Sequence, residues 1–140
     1  MTKNLHKRYF IAGHNGMVGS AILRKLNSKP HSEIITANKS EVNLLNKLEV
    51  DNFFEKNKPN IVILAAGRVG GIKANSNNQA LFLYENLMIQ NNVMLAAANS
   101  GVEKLLFLGS SCIYPRESKQ PIKEEYLMQG PLEETNEGYA

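Results

Sequence analysis

Three glycines spaced three residues apart interrupt an otherwise apolar stretch near the start of the sequence. Gly13, Gly16 and Gly19 follow one apolar run and lead directly into another. A strand that turns through glycines into a helix lets a phosphate reach free backbone N–H groups at the positive end of the helix dipole. The alternative is a tight strand-to-helix turn that binds no ligand. The position of the three glycines after the first predicted strand favours dinucleotide binding.

A serine and a cysteine follow the fourth predicted strand, within the stretch GSSCIYP. A serine at the carboxyl end of a strand can hydrogen-bond a substrate carbonyl or hydroxyl, which makes Ser110 a candidate site residue. Cys112 by itself is more typical of a small buried hydrophobe. Tyr139 lies near the end of the sequence, where a lone tyrosine is usually a surface or packing residue. Only the surrounding fold can give these side chains a chemical role.

The residues after the second predicted strand bear on the form of nicotinamide cofactor. An acidic residue there would hold the ribose 2′-hydroxyl of NAD. This sequence has Ala37, Asn38, Lys39 and Ser40 instead, and no carboxylate before Glu41. Lys39 is placed to pair with a 2′-phosphate, although a solvated surface lysine is a serious alternative. The stretch favours NADP(H).

The order of apolar runs and breakers predicts strands at residues 8–12, 33–37, 61–66 and 104–108, and helices at 17–26, 45–56 and 80–100. The ranges 67–78 and 116–137 are predicted to be loops because they are rich in polar residues, Gly or Pro. Alternating strands and helices are typical of an α/β fold with a doubly wound parallel sheet, the Rossmann-like class. We expect one nucleotide-binding domain over residues 1–140, with ligands at the carboxyl edge of the sheet.

Helical spacing also groups the apolar side chains. Val18, Ile22 and Leu26 share one face of the first helix, Leu48 with Phe53 or Phe54 is predicted on the inner side of the second, and the apolar positions of the third are Leu83, Leu87, Val93 and Ala97.

Composition excludes several classes of protein. The 140 residues are 43% hydrophobic and 21% charged, which suits one domain with a core. The net charge is +3 and the basic residues are scattered, so no nucleic-acid surface is indicated. Cys112 is the only cysteine, which fits a reducing compartment. No apolar run suits a membrane span or a signal peptide, so we expect a cytoplasmic protein with no membrane partner. We also expect no metal site.

Longer stretches carry a resemblance. The glycine spacing resembles the short-chain dehydrogenase/reductase superfamily, and within its extended branch the chain resembles the GDP-L-fucose synthases. The matching stretches are GHNGMVGSAI, NLLN, AAGRVGGIKAN, NLMIQNNVMLAA, KLLFLGSSCIYP and QPIKEEYLMQGPLEETNEGYA, which cover nearly the whole chain. The resemblance implies an NADP(H)-dependent epimerase/reductase that converts GDP-4-keto-6-deoxy-D-mannose, a nucleotide sugar, to GDP-L-fucose.

The resemblance also implies roles for individual residues. Tyr139 would protonate the C4 oxygen during hydride transfer, Ser110 would orient that oxygen, and Cys112 would share epimerisation at C3 and C5 with a histidine beyond residue 140. The residues implied to bind the cofactor are Gly13, His14, Asn15, Gly16, Met17, Val18, Gly19, Lys39, Leu108, Gly109, Ser110 and Ser111. The full-length family enzyme is expected to be a homodimer that uses the helix at 80–100, although the same apolar face also suits a core.

The sequence departs from the family at two points. The family usually has arginine where Asn15 stands, which shifts more of the NADP(H) assignment onto Lys39. The family's C-terminal substrate domain, its lysine four residues after Tyr139 and its histidine lie outside these 140 residues, so the chain is expected to be an N-terminal part that is inactive alone. Two alternatives are a non-catalytic NADP(H)-binding module and another extended short-chain nucleotide-sugar epimerase or dehydratase. Cys112 and the VGGI stretch at residues 69–72 argue against another epimerase or dehydratase of that kind.

Overall fold

Four parallel strands form the sheet. The computed structural model describes residues 6–30 and 32–140; residues 1–5, of which we predicted only that they form no signal peptide, lie outside this part. The strands are β1 (Lys7–Ala12), β2 (Ser32–Ile35), β3 (Ile61–Leu64) and β4 (Lys104–Phe107), in the spatial order β2-β1-β3-β4. The predicted α/β fold with a parallel sheet is confirmed.

Helices connect these strands. Within the described residues they are α1 (Met17–Asn27), α2 (Lys47–Asn57), α3 (Ile72–Asn77) and α4 (Gln79–Asn99). Asn46 begins α2 with a side-chain cap, because its Oδ1 accepts the Leu48 and Glu49 N–H groups. Gly101 follows α4 with a φ of +70°, the left-handed conformation that commonly ends a helix.

Both faces of the sheet are covered, which makes it doubly wound. Phe10 and Leu64 point to one face, where they are buried with Phe54 of α2 and Val93 of α4. The Phe10 and Phe54 rings meet edge to face, with centroids 5.7 Å apart. The alternate strand residues point to the other face, where Ile11 and Ile63 are buried with Leu26 of α1.

Polar contacts hold the amino edge of the sheet. The Arg8 N–H donates to the Asn60 side chain at 3.0 Å, and the Glu103 N–H donates to the Asn60 carbonyl at 2.9 Å. The Lys7 ammonium lies 2.5 Å from Glu103 Oε2. That hydrogen bond lowers the pKa of Glu103.

The described contacts divide the chain into two compact units. Among the described residues, the first unit comprises 6–30, 32–67 and 88–108, and the second comprises 68–87 and 109–140. The sheet and the stretch with the three glycines, residues 13–19, which we call the glycine loop, lie in the first unit. The stretches around Ser110 and Tyr139 lie in the second. A single domain over 1–140 stays a prediction.

The predicted loop at 67–78 is wrong in part, because it contains α3. Gly71 precedes this helix, and its carbonyl accepts the N–H groups of Ala74 and Asn75 at 2.9 and 3.1 Å. Asparagine has a low helix propensity, so the sequence favours a loop. Asn75 is nevertheless only 6% exposed and donates from Nδ2 to Asn136 Oδ1 at 2.7 Å, so a tertiary contact supports a helix that propensity alone would not. The predicted loop at 116–137 contains only short 3₁₀ turns, at Glu124–Tyr126 and Glu134–Asn136.

One predicted inward position is wrong as well. Leu48 is 67% exposed, and Val50 takes the core position together with Phe54. Of the apolar positions of α4, Leu83 and Leu87 are 48% and 44% exposed, whereas Val93 and Ala97 are buried. On α1, Val18 is exposed and Leu26 is buried. Apolar residues occur on more than one side of these helices, so spacing alone does not single out the buried side. No helix within the described residues is both long enough and apolar enough to span a bilayer.

Candidate functional site

The glycine loop makes a tight turn between β1 and α1. Gly13 has a φ of +86°, a conformation that favours glycine. Its carbonyl accepts the Gly16 N–H at 3.0 Å. The chain therefore enters α1 at Met17, directly after the carboxyl end of β1.

Two of the glycines allow backbone to pack against backbone. A Cβ at Gly13 would lie 2.6 Å from the carbonyl oxygen of Ala65, just after β3. A Cβ at Gly19 would lie 2.1 Å from the Gly13 carbonyl oxygen, so α1 packs here against the loop that leaves β1. At Gly16 the nearest contact of a Cβ would be 3.3 Å, which is tight but leaves more space. Packing therefore requires glycine at positions 13 and 19, whereas Gly16 is free for another role.

The start of α1 is suited to bind an anion. Across the described residues, no side chain caps this helix at Gly16, and its first turn contains no acidic residue. The N–H groups of the first turn have no partner within the helix, and the helix dipole attracts negative charge to them. These features fit the pyrophosphate of a dinucleotide.

A pair of amides links the glycine loop to the end of β2. Asn15 Nδ2 donates to Asn38 Oδ1 at 2.8 Å. Glu41 accepts the backbone N–H of Asn38 at 2.6 Å, and the Asn38 carbonyl accepts the Glu41 N–H at 2.9 Å. Glu41, the first carboxylate after β2 in the sequence, is thus already bound to backbone. The sequence predicted a candidate site at this end of β2, near Asn38 and Lys39, but not the Asn15–Asn38 contact, because only the fold brings the two amides together.

The remaining predicted cofactor residues of the first unit differ in their surroundings. Lys39 is exposed, and Met17 is 88% exposed. His14 Nδ1 is buried and has no hydrogen-bond partner in the described part of the chain. Leu108 continues the pairing of β4, since its N–H donates to the Leu64 carbonyl at 3.1 Å. The exposed Lys39 ammonium is the positive charge that this end of β2 offers.

Ser110 and Cys112 belong to one short turn in the second unit. Ser110 precedes the 3₁₀ turn Ser111–Ile113 and caps it by accepting the Cys112 N–H on its Oγ at 3.1 Å. Both side chains are half-buried, whereas Gly109 and Ser111 are exposed. Because Oγ accepts in this contact, its own hydrogen is left to donate elsewhere. The structure thus brings together two of the three predicted catalytic residues.

Tyr139 follows the 3₁₀ turn Glu134–Asn136 and is half-buried. Its N–H donates to the Asn136 carbonyl at 2.9 Å, and the Ala140 N–H donates to the same oxygen at 2.8 Å. The backbone of Tyr139 is therefore fixed by Asn136, a residue to which the sequence analysis gave no role.

The loop before α3 is anchored in the second unit by Arg68. Its N–H donates to Asn86 Oδ1 at 2.7 Å, and its carbonyl accepts from Asn86 Nδ2 at 3.0 Å. Its guanidinium lies 2.9 Å from Glu85 and 5.3 Å from the centre of the Phe82 ring. These contacts hold the start of the VGGI stretch to the first turns of α4.

A parallel sheet covered on both faces, with an uncapped glycine turn after its first strand, defines a Rossmann-like nucleotide-binding fold. The sequence profile of the NAD dependent epimerase/dehydratase family matches residues 9–140. The chain belongs to that family.

Individual relatives agree with the resemblance found in the sequence. The chain is 54% identical over 134 residues to a GDP-L-fucose synthase of Sinorhizobium fredii and 52% identical over 134 residues to that of Escherichia coli. Both matches cover 96% of this chain and 42% of the relative. The predicted resemblance to GDP-L-fucose synthases is confirmed, for a chain that spans less than half the length of these relatives.

A solved structure shows the same fold. The GDP-mannoheptose C4 reductase of Campylobacter jejuni with NADP bound superimposes with a TM-score of 0.91 and is 38% identical. The match covers 99% of this chain and 44% of the reductase.

The glycines respond differently to an added methyl group. Gly19→Ala is expected to lower the free energy of unfolding by about 1–3 kcal/mol, because its Cβ would collide with the Gly13 carbonyl. Gly16→Ala, the matched control, should lower it by roughly 1 kcal/mol or less, since its Cβ finds more space. Urea unfolding followed by far-ultraviolet circular dichroism measures both, and a Gly19→Ala protein as stable as the parent would contradict the packing account.

Proposed function

We propose that this chain is the NADP(H)-binding part of an epimerase/reductase that converts GDP-4-keto-6-deoxy-D-mannose to GDP-L-fucose. The proposal is carried by the similarity to GDP-L-fucose synthases over 96% of the chain. The uncapped glycine turn at the start of α1 supports it independently. The substrate domain corresponds to the part of the relatives that the match leaves uncovered, and one nucleotide-binding domain is assigned to residues 1–140.

NADP(H) suits the charges around the glycine loop. The first-turn N–H groups of α1 would hold the pyrophosphate. Asn15 and Glu41 are both engaged with Asn38, so the carboxylate that could select NAD is bound to backbone. Lys39 is left to attract the 2′-phosphate. When bound, NADPH supplies a hydride to C4 of the sugar.

The side chains of the second unit move protons and orient the substrate. As hydride reaches C4, the phenolic proton of Tyr139 passes to the C4 oxygen and leaves a hydroxyl group there. The free hydroxyl hydrogen of Ser110 donates to the same oxygen and orients it. The C4 ketone also acidifies the C3 and C5 protons, and Cys112 is one of the two groups that remove and return those protons.

Two broader features belong to the same proposal. The apolar residues Leu81, Leu83 and Leu87 of α4 are 41–48% exposed, which suits contact with a second subunit of a homodimer. A cytoplasmic location also belongs to the proposal, because a single cysteine forms no intrachain disulfide and suits a reducing compartment.

Cofactor preference can be measured with this chain alone. It should bind NADPH more tightly than NADH, and Lys39→Asp should remove most of that difference. One charge-assisted contact contributes about 1.5–3 kcal/mol, which is roughly 10- to 100-fold in Kd. Lys29→Asp is the matched control, because it makes the same charge change at another exposed lysine. Titrations followed by NADPH fluorescence or calorimetry give both constants.

Equal affinity for the two cofactors in the parent chain would contradict the NADP(H) assignment. A preference that survives Lys39→Asp unchanged would remove Lys39 from it. Asn15→Arg should strengthen NADPH binding further, since a guanidinium would join the same neighbourhood.

Catalysis can be tested in a chimera. Residues 1–140 would be joined to the part of the Escherichia coli relative that the match leaves uncovered. With NADPH and GDP-4-keto-6-deoxy-D-mannose, the chimera should oxidise NADPH and form GDP-L-fucose. Tyr139→Phe should lower the rate at least about 100-fold, because a general acid contributes that much or more. Product analysis by NMR reports epimerisation and reduction separately.

Tyr84→Phe is the control, because it removes a phenol from an exposed position on α4. It should leave the rate unchanged. A well-folded chimera that binds NADPH but leaves GDP-4-keto-6-deoxy-D-mannose unreduced would contradict the proposed reaction, and full activity of Tyr139→Phe would contradict the role of Tyr139.

A further inference from the structure

The segment that carries Tyr139 is held by side chains from α3 and from the start of α4. We call residues 134–140 the Tyr139 turn. Its internal hydrogen bonds converge on the Asn136 carbonyl, which accepts the N–H groups of Tyr139 and Ala140. The orientation of Tyr139 therefore depends on whatever fixes Asn136.

Asn75 of α3 fixes the Asn136 side chain. Its Nδ2 donates to Asn136 Oδ1 at 2.7 Å, the shorter of its two contacts, since the Gly70 carbonyl lies 3.5 Å away. Asn75 is only 6% exposed, whereas Asn136 is half-buried. Among the described residues, the Asn75 Oδ1 is buried without a hydrogen-bond partner.

A second contact acts on the same segment. Gln79, the first residue of α4, donates from Nε2 to the Glu134 carbonyl at 3.3 Å. A Cβ at Gly138 would lie 2.8 Å from the Gln79 carbonyl oxygen, so only a glycine fits there without a shift. The turn is thus held at both its beginning and the residue next to Tyr139.

The buried amide of Asn75 is costly for stability. An unpaired buried acceptor loses its water without gaining a partner. A leucine of similar size would fill the same space without that cost. The amide is therefore explained by its donor, which reaches across to Asn136, and not by packing.

We propose that Asn75 is a positioning residue for Tyr139: its amide donor holds Asn136 and thereby sets the orientation of the Tyr139 turn. This inference rests on the proposed role of Tyr139 as the proton donor. It adds a residue that acts from a separate helix and that does not itself touch the reacting atoms.

Amide hydrogen exchange in the 140-residue chain tests the proposal. Asn75→Leu should lower the protection of the Tyr139 and Ala140 amides roughly 3- to 10-fold, the size of one hydrogen bond. The midpoint of urea unfolding should not fall, because the unpaired Oδ1 is removed as well. Asn75→Asp should keep most of the protection, since Asn136 can rotate its amide and donate to the new carboxylate.

Three further variants complete the design. Asn136→Leu should reproduce the loss of amide protection from the half-buried end of the contact, where a substitution destabilises the fold less. The double variant Asn75→Leu/Asn136→Leu should lose no more protection than either single variant, because both remove the same hydrogen bond. Asn78→Leu is the control, because Asn78 is exposed beside α3 and bonds only locally to Ala74.

The possible outcomes distinguish a positioning role of Asn75 from a packing role. Unchanged protection in both Asn75→Leu and Asn136→Leu, or losses that add in the double variant, would overturn the proposal. Equal losses in Asn75→Leu and Asn75→Asp, together with a lower unfolding midpoint, would also overturn it and assign Asn75 to packing. These measurements do not depend on catalysis, so a failure of Tyr139→Phe to slow the chimera would refute the proton-donor role separately.

Discussion

The approach of backbone to backbone in the glycine loop is the constraint on which the rest of the structure depends. The first turn of α1 lies so close to the Gly13 carbonyl that a Cβ at Gly19 would be 2.1 Å from its oxygen. This approach places the N–H groups of α1 at the carboxyl end of β1. The same helix covers one face of the sheet through Leu26, so the anion-binding geometry and the core are built by the same packing.

The charge around the glycine loop is determined by the absence of free carboxylates near the start of α1. The first turn of α1 has no carboxylate, Asn15 offers a neutral amide, and Glu41 is held by the backbone of Asn38. A phosphate would therefore be met mainly by backbone dipoles, with Lys39 as the nearby cation. This arrangement differs from the family resemblance, in which an arginine is expected in place of Asn15.

The sequence predicted the parts of the fold that depend on local signals. Unbroken apolar runs such as 61–66 predicted the buried strands, of which this one forms β3 at Ile61–Leu64, and the three glycines predicted the turn after β1. Helix α3 was missed, because asparagine favours loops unless tertiary contacts intervene. The amide pairs Asn15–Asn38 and Asn75–Asn136 were missed for a related reason. They join residues 23 and 61 positions apart, and no local pattern carries that information.

The central claim is that the first turn of α1 binds the cofactor phosphate through its backbone. The most direct measurement is a titration of the isotope-labelled chain with NADPH, followed through its backbone amide resonances. The account predicts that the largest shifts fall on the amides of residues 16–19, with smaller shifts near Lys39. Saturable binding that shifts other amides and leaves residues 16–19 unchanged would contradict it.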